Sequence, residues 1–418
     1  MDKQQDHTET STPELDERRM WSYPKSFMVT LLMIALGILL ELLTKNRHIS
    51  LPQLPFSLYV AIMFACGIVF LYVNYRNSSF IRLLSGVPAA ISAICGYMAC
   101  LLCLAFIPQK PLSAGILHDL GLSHIKTSYP FILVQLHLLT VLGLIIIRRF
   151  YPIRWKNISF FISHVGLWIT IAAAGLGSGD LKRLNINLLE NEKESNVGLT
   201  ASDEMYKLPF SVRLLDFTIE EYTPALVILN NKKGGVFHDS PKPHPEAIAG
   251  TEFRYKHWYV YLTKYLPNAI NTDSGFYSTD LPGSYAAAYL EVIDLNLRKK
   301  RTGWISVGNL YQEPQFFMLD SARSIALTSP EPKSFSSRLA IAADSTFADT
   351  VILQANKPYE IKGWKLYQSS YDLSKGKWST LSVIEAVNDP WIPVVYTGFV
   401  LLFIGAFLMI WTGKNKQQ

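Results

Sequence analysis

Charged residues are scarce in this chain. Asp, Glu, Lys and Arg make up 17% of the 418 residues, whereas hydrophobic residues make up 49%. Soluble domains carry about 25% charged residues, so the composition points away from an ordinary soluble protein. The formal net charge of +6 is spread along the chain. No basic stretch interleaved with aromatic residues is present, so we expect no nucleic-acid partner.

Cysteine is scarce too. The four cysteines, Cys66, Cys95, Cys100 and Cys103, all lie in apolar stretches, and residues 181–390 contain none. That polar region therefore cannot contain a disulfide. Cys100 and Cys103 form a C-x-x-C pattern, but a redox-active pair needs an exposed thiolate stabilised by positive charge. The surrounding residues are apolar, which favours a packing role; a thiol–disulfide conductor is the alternative.

Several motifs of enzymes and metal sites are missing. The sequence has no P-loop, no nucleophile elbow, no H-E-x-x-H and no zinc-finger spacing. It also has no C-x-x-C-H, so the chain is not itself a c-type cytochrome. We therefore assign no catalytic residue.

Six apolar stretches are long enough to span a membrane, since a span needs about 20 mostly apolar residues. The first does not resemble a cleavable signal, because its polar leader is long and further spans follow. The predicted spans are Met28–Leu43, Phe56–Val73, Val87–Ile107, Pro130–Ile147, Ile158–Gly177 and Ile392–Trp411.

The distribution of Lys and Arg predicts how the chain crosses the membrane. The densest short basic loop is 148–156, and 414–416 is basic as well. Because basic loops favour the cytoplasmic side, both termini are expected in the cytoplasm and the large polar region outside it; Lys45 and Arg47 are exceptions. The predicted parts are a cytoplasmic tail (1–25), a five-span membrane domain (26–180), an extracytoplasmic β-rich domain (181–390), and a final span with a cytoplasmic tail (391–418).

The polar region is predicted to form β-strands. Apolar and polar residues alternate in Phe210–Leu214 and Trp258–Leu262, and turn residues bound further strand-length runs. The predicted fold class is therefore an α-helical membrane protein with six spans and a large β-rich, sandwich-like extracytoplasmic domain between spans five and six. Two smaller β domains are the alternative.

Two histidines lie within predicted spans. His164 lies about 8 residues from the basic loop, roughly 12 Å deep, and His137 about 11 residues from it, roughly 16 Å deep. An ionisable residue at membrane depth is costly without a partner, and imidazole is a good axial ligand of haem iron. His164 is the stronger candidate, whereas helix packing is the favoured interpretation of His137. The alternative for His164 is a hydrogen bond to a neighbouring helix.

The remaining histidines of interest lie in predicted external segments. Without metal-ligand spacing, most are interpreted as surface residues. They are His118, His124, His238, His244 and His257.

The end of the polar region and the last span carry a more specific pattern. Residues 363–372 read GWKLYQSSYD, Asn388-Asp389-Pro390 follows, and the last span contains Gly398 and Gly405. This pattern resembles the ResB (CcsB) family of cytochrome c biogenesis system II, whose members end in a YQSSY-like strand, an Asp-Pro and a glycine-containing helix.

The helix of His164 resembles the same family. Fused members have an aromatic residue, His three positions later, an apolar run and Gly-x-Gly; here these are Phe161, His164 and Gly175-Leu176-Gly177. Leu208-Pro209-Phe210 and Asp216-Phe217 are also similar. The resemblance covers spans four to six and the polar region, and spans one to three match an extension found in Bacteroidetes-type members.

The resemblance implies a function. ResB proteins pair with CcsA to move or hold haem and present it to apocytochrome c, as part of a holocytochrome c synthase (haem lyase) complex in the bacterial inner membrane. Because the Trp-rich motif of CcsA is missing, this chain is expected to be the ResB subunit alone, non-catalytic, with a separate CcsA partner. The family's haem-ligating histidine maps onto His164, which makes non-covalent haem b the expected cargo.

Two other functions are compatible with the sequence. A membrane electron-transfer protein would bind one haem between His137 and His164. A non-haem scaffold or sensor would use the external β domain without any cofactor.

Overall fold

The computed structural model describes residues 22–44, 49, 51–109, 115–151, 155–309, 311–343 and 348–414. Within these residues the chain forms eight α-helices, joined by short turns and by a long series of strands between the last two. The helices are α1 (Ser22–Leu43), α2 (Phe56–Tyr75), α3 (Ser79–Leu84), α4 (Val87–Phe106), α5 (Ile116–Asp119), α6 (Tyr129–Phe150), α7 (Ile158–Gly177) and α8 (Ile392–Lys414).

Six helices are long and apolar enough to cross a membrane, namely α1, α2, α4, α6, α7 and α8. The six apolar stretches seen in the sequence are therefore confirmed as helices. The first begins at Ser22, six residues before the predicted span, so residues 22–25 belong to its first turn rather than to the tail. Pro24 is tolerated there because the first turn of a helix leaves its N–H groups without intrahelical acceptors.

Helix α6 forms the centre of the helical part. About two thirds of its apolar window is buried (67%), against 11–28% for the other five helices. It contacts α1, α2, α4 and α7. The outer helices consequently leave one apolar face uncovered, which is typical of helices in contact with lipid.

Helices α7 and α8 pack closely through small residues. A Cβ at Gly166 would meet the Gly398 carbonyl at 2.6 Å, and one at Gly405 would collide with Ser163. Without side chains at these points the two backbones can approach each other, as small residues allow in membrane helices.

The chain between α7 and α8 is β-rich, as predicted, and every strand pairing that is resolved is antiparallel. A short helical turn in this region is 3₁₀ (Gly376–Trp378). The strands are β1 (Lys182–Leu189), β2 (Ser195–Leu199), β3 (Met205–Glu221), β4 (Leu226–Asn230), β5 (Glu252–Tyr255), β6 (Trp258–Thr272), β7 (Gly275–Ser278), β8 (Tyr285–Asp294), β9 (Lys299–Ser306), β10 (Phe317–Met318), β11 (Arg323–Leu327), β12 (Pro332–Ala342), β13 (Ala348–Gln354), β14 (Tyr359–Ile361), β15 (Trp364–Tyr371) and β16 (Leu381–Asn388).

The strands form three sheets. The largest has the order β13-β12-β3-β2-β1-β16-β15-β14; the others have the orders β10-β11-β4 and β5-β6-β8-β9, with β7 paired to β6. Strands β1 and β16 are neighbours, although they begin and end the β region. The chain therefore enters and leaves this region side by side.

Two main hydrophobic cores stabilise the β region. One lies on the eight-stranded sheet and contains Leu339 and Trp364, which are 0% and 5% exposed. The other lies between the two smaller sheets, where Ile228 and Ile325 pack with Leu290. The second core has the two-sheet arrangement expected of a sandwich, whereas the first belongs to one large sheet.

The chain divides into two compact units. The helical unit comprises Met1–Lys182 and Asn388–Gln418, and the β unit comprises Arg183–Val387. Several basic residues used to predict orientation lie outside the described residues: Lys45, Arg47, Arg154 and Lys416.

Candidate functional site

His164 lies six residues after the start of α7, about 9 Å along the helix axis at 1.5 Å per residue. Its neighbours in sequence are apolar apart from Ser163, and the side chain is half-buried. The helix forms here because twenty residues without proline or charge follow Asn157. The imidazole is therefore held on a rigid element rather than on a loop.

The protonation of His164 follows from its contacts. Nδ1 lies 2.9 Å from the Phe160 carbonyl oxygen. A carbonyl can only accept a hydrogen bond, so Nδ1 carries the proton and donates it. Ser163 Oγ, 3.0 Å from Nδ1, itself donates to the same carbonyl.

The other ring nitrogen of His164 is left with its lone pair. Among the described contacts, no hydrogen bond involves Nε2 of His164. A metal-ligating histidine usually donates its second ring N–H to a carbonyl or carboxylate, which fixes the tautomer and the ring orientation. The arrangement at His164 has this form, with the Phe160 carbonyl as the acceptor.

Phe160 also orients the ring of His164 by stacking. The two ring centroids are 3.7 Å apart, with planes inclined by 27°. The guanidinium of Arg149, at the end of α6, lies 4.2 Å from the Phe160 centroid. A cation and an imidazole thus lie against the same aromatic ring.

His137 has a different environment. It is only 6% exposed, and its Nε2 lies 3.3 Å from Thr30 Oγ1 on α1. Thr30 donates in turn to Ser92 on α4, at 3.2 Å. His137 therefore joins three helices through hydrogen bonds, which agrees with the packing interpretation.

The structure does not bring His137 and His164 together. Trp168 of α7 donates to the Leu139 carbonyl of α6, at 3.0 Å, which places these two residues at one level of the antiparallel pair. Counting along both helices, His137 and His164 are about 9 Å apart along the axis. Since His137 contacts α1 and His164 stacks within its own helix, one haem iron between them is not supported.

His124 is not the surface residue that the sequence suggested. Its side chain is 10% exposed, and its Nε2 lies 2.9 Å from Oε1 of Glu41, a carboxylate that is 1% exposed. The other oxygen of Glu41 accepts the N–H of Tyr129, at 2.8 Å, at the start of α6. A carboxylate is favourable at a helix N-terminus. No local sequence pattern indicates this pairing, because Glu41 and His124 are 83 residues apart.

A second buried carboxylate joins three segments of the helical unit. Asp180, just after α7, accepts hydrogen bonds from Leu54 N (2.8 Å), Ser57 Oγ (3.1 Å) and Trp391 Nε1 (2.6 Å). These donors precede or begin α2 and α8. Asp180 thus fixes the ends of three helices, and its role is structural.

The residues that carry the family resemblance are mostly structural. The YQSSY segment belongs to β15, where Gln368 accepts from Ser337 (2.6 Å) and donates to Ser382 (3.0 Å). Asp389 accepts the Trp391 N–H at 3.1 Å, near the start of α8. Among the residues that carry the resemblance, His164 differs in lying on an apolar helix with a ring nitrogen that has no hydrogen bond among the described contacts.

Other metal-binding arrangements are not found in the described part of the chain. It contains no group of three or more His, Cys, Asp and Glu side chains that could hold a metal ion. The four cysteines are free thiols. A haem iron, which the porphyrin itself ligates, needs only one or two protein ligands, and His164 is suited to be one.

Comparison with known proteins adds no further assignment: no protein-family model matches the chain, and no curated protein matches it.

Proposed function

We propose that this protein is the ResB-type subunit of a system II cytochrome c synthase, a multi-pass protein of the bacterial cytoplasmic membrane. It holds or exports haem b and presents it to apocytochrome c together with a CcsA-like partner. In this proposal His164 is one axial ligand of the haem iron. The chain itself is non-catalytic, because the new thioether bonds join cysteines of the substrate to the haem vinyl groups.

The observation that carries this proposal is the state of the His164 ring. Its Nδ1–H is bonded to the Phe160 carbonyl at 2.9 Å, and its Nε2 is left as a σ-donor with no hydrogen bond among the described contacts. With Nδ1 protonated and Nε2 carrying a lone pair, the imidazole is the neutral form. A neutral imidazole with a fixed tautomer is what a haem iron requires.

Arg149 supports the same proposal. Its guanidinium lies against Phe160, and none of the described ion pairs includes it. Haem carries two propionates, and a guanidinium forms strong charge-assisted hydrogen bonds with carboxylates. Arg149 would therefore bind a propionate of the haem that His164 ligates.

The second axial ligand would come from the partner. Within the described residues, the only other histidine in a long apolar helix is His137, and it is hydrogen-bonded to Thr30. A site completed by a CcsA-like protein would load haem only in the assembled complex. The β unit would then bind the apocytochrome on the extracytoplasmic side.

The test uses the chain expressed with its CcsA-like partner. His164→Gly should lose haem or give a high-spin spectrum, because an axial position opens. Added imidazole should restore the low-spin spectrum in part. Cytochrome c maturation should fall at least tenfold in the variant.

A matched pair of glutamine variants separates ligation from packing. Glutamine can still form a hydrogen bond, with Thr30 of another helix at position 137 or with the Phe160 carbonyl at position 164, but it is a poor iron ligand. His137→Gln should therefore retain haem, whereas His164→Gln should lose it. If His164→Gln assembles with normal haem content and matures cytochrome c at the normal rate, His164 is not a ligand.

A further inference from the structure

Two adjoining cavities lie at the end of the helical unit where α4 ends and α6 begins. The first has a volume of about 540 Å³ and is lined mainly by apolar side chains of α2, α4, α6, α7 and α8, among them Phe64, Leu101 and Trp168. Binding sites for small molecules have this size and character. None of the residues around His164 described above lines it.

The second cavity is polar. Its volume is about 370 Å³, and its lining includes Gln109, His118, Ser123, His124, Lys126 and Thr127. Leu104 and Lys126 line both cavities. An apolar chamber and a polar chamber thus meet at one lysine.

The charge of the second cavity favours an anion. Lys126 is exposed, and within the described residues it forms no ion pair. Among the described residues, no carboxylate lines this cavity: Glu41, bonded to His124 and to the Tyr129 N–H, lies behind the histidine. The hydroxyls of this cavity already have partners: Thr127 Oγ1 donates to the His124 carbonyl at 3.1 Å, and Ser123 Oγ lies 3.4 Å from His124 Nδ1. The Lys126 ammonium, with three N–H donors, is therefore the group that would hold a phosphate oxygen.

The first cavity contains one charged group besides Lys126. This is Asp389, whose carboxylate accepts the N–H of Trp391 at 3.1 Å. The remaining lining is largely apolar. The two chambers together therefore match an amphiphile whose body is apolar and whose head carries negative charge.

We propose that these two cavities bind one acidic phospholipid. An acyl chain of the lipid would occupy the apolar chamber, and its phosphate would contact Lys126 in the polar chamber. The proposal uses the placement of the helices in a membrane but not the ligation of haem by His164. A basic residue at the end of a membrane helix attracts acidic lipids. Here the cation is combined with an apolar chamber for the acyl chain, which adds specificity to the attraction.

The experiment measures lipid retention by native mass spectrometry of the purified full chain in detergent. The probes are dioctanoyl phosphatidylglycerol and dioctanoyl phosphatidylcholine, which have the same chains but differ in net charge. We expect at least a fivefold preference for the acidic lipid. Lys126→Gln should abolish this preference, whereas Lys232→Gln, a change of an exposed lysine in the β unit, should leave it intact.

A second variant tests the apolar chamber independently. Ala174 is exposed on α7 and lines this cavity, so Ala174→Phe fills it without altering the buried core. It should weaken retention of the acidic lipid at least fivefold. Equal retention of the two lipids, or a preference that survives Lys126→Gln, would overturn the proposal.

Haem shares the amphiphilic chemistry, because its propionates are also anionic. Haemin is therefore added as a competitor. If haemin displaces the acidic lipid at equimolar concentration and its retention depends on Lys126, the site belongs to haem rather than to lipid. The His164 variants distinguish the two sites, since they should leave lipid retention unchanged.

Discussion

The two units of this protein differ in the apolar side chains that they expose and in the carboxylates that they bury. In the β unit the buried side chains are mainly apolar, such as Leu339 and Leu290, and charged pairs such as Lys300–Glu291 lie at the surface. In the helical unit many large apolar side chains are exposed, while Glu41 and Asp180 are buried. Burial of a charge is costly without partners, so the buried carboxylates of the helical unit mark places where separate segments are joined.

The largest effect should come from removing the buried carboxylate of Glu41, which links His124 to the start of α6 in the helical unit. Glu41→Leu removes the acceptor of both His124 Nε2 and the Tyr129 N–H. Loss of one partner of a buried pair costs about 3–5 kcal/mol. A reversible unfolding titration in mixed micelles should show this loss, and hydrogen exchange should increase at the start of α6.

The matched control at the same position is Glu41→Gln. Its amide oxygen still accepts one hydrogen bond, so it should lose less stability than the leucine variant. If the leucine variant were as stable as the unmodified chain, the hydrogen bonds of Glu41 would contribute nothing to stability. The buried carboxylate would then not distinguish the helical unit from the β unit.

An intermediate effect is expected from alkaline pH in the β unit. Burial raises the pKa of Tyr265 to about 12, and burial together with the hydrogen bond to Asp239 raises the pKa of Tyr255 to about 12. An unfolded tyrosine has a pKa of about 10. The neutral forms therefore stabilise the folded state below pH 10, and this contribution is lost as pH rises from about 10 to 12.

This pH dependence is measured by the urea midpoint at a series of pH values, with hydrogen exchange of β6 as the local readout. Replacing both tyrosines by phenylalanine should flatten the profile between pH 10 and 12. If the double variant lost stability between pH 10 and 12 as steeply as the unmodified chain, other groups would be responsible for the loss.

The smallest effect should come from the surface pair of the β unit. Lys300 Nζ lies 2.7 Å from Glu291 Oε2, but the lysine side chain is 55% exposed. Pairs of this kind contribute about 0–1 kcal/mol. Lys300→Ala should therefore shift the unfolding midpoint hardly at all, in contrast to Glu41→Leu. A loss as large as that of the buried pair would remove the distinction between the units.

The sequence predicts the helical part well and the β part coarsely. Long apolar runs such as Ile158–Gly177 identify a helix by length and composition alone, and that helix has the predicted bounds. The start of α1 was missed because Ser22, Tyr23 and Pro24 are not strongly apolar. Sheet order could not be predicted, since β1 and β16 are neighbours despite nearly two hundred intervening residues.

The candidate site shows the same limit. His164 stands out in the sequence because it is an ionisable residue within an apolar run, and its bonding partner, Phe160, lies one turn away on the same helix. The pairs Glu41–His124 and Asp180–Trp391 are separated by 83 and 211 residues. Neither pair produces a local sequence pattern. The sequence therefore indicates the histidine of the candidate site but neither of the two buried carboxylate contacts.

The adjacency of β1 and β16 has an evolutionary consequence. Their side chains also meet, since Arg183 and Glu385 form an ion pair at 3.5 Å. The ends of the β unit are thus close together, which is the property that lets a domain be inserted into a loop of another protein. The β unit is topologically an insert in an α7–α8 hairpin whose glycine-mediated packing does not depend on the insert's length. Recombination or loop growth could therefore replace or enlarge the insert, while the helix that carries His164 stays as it is.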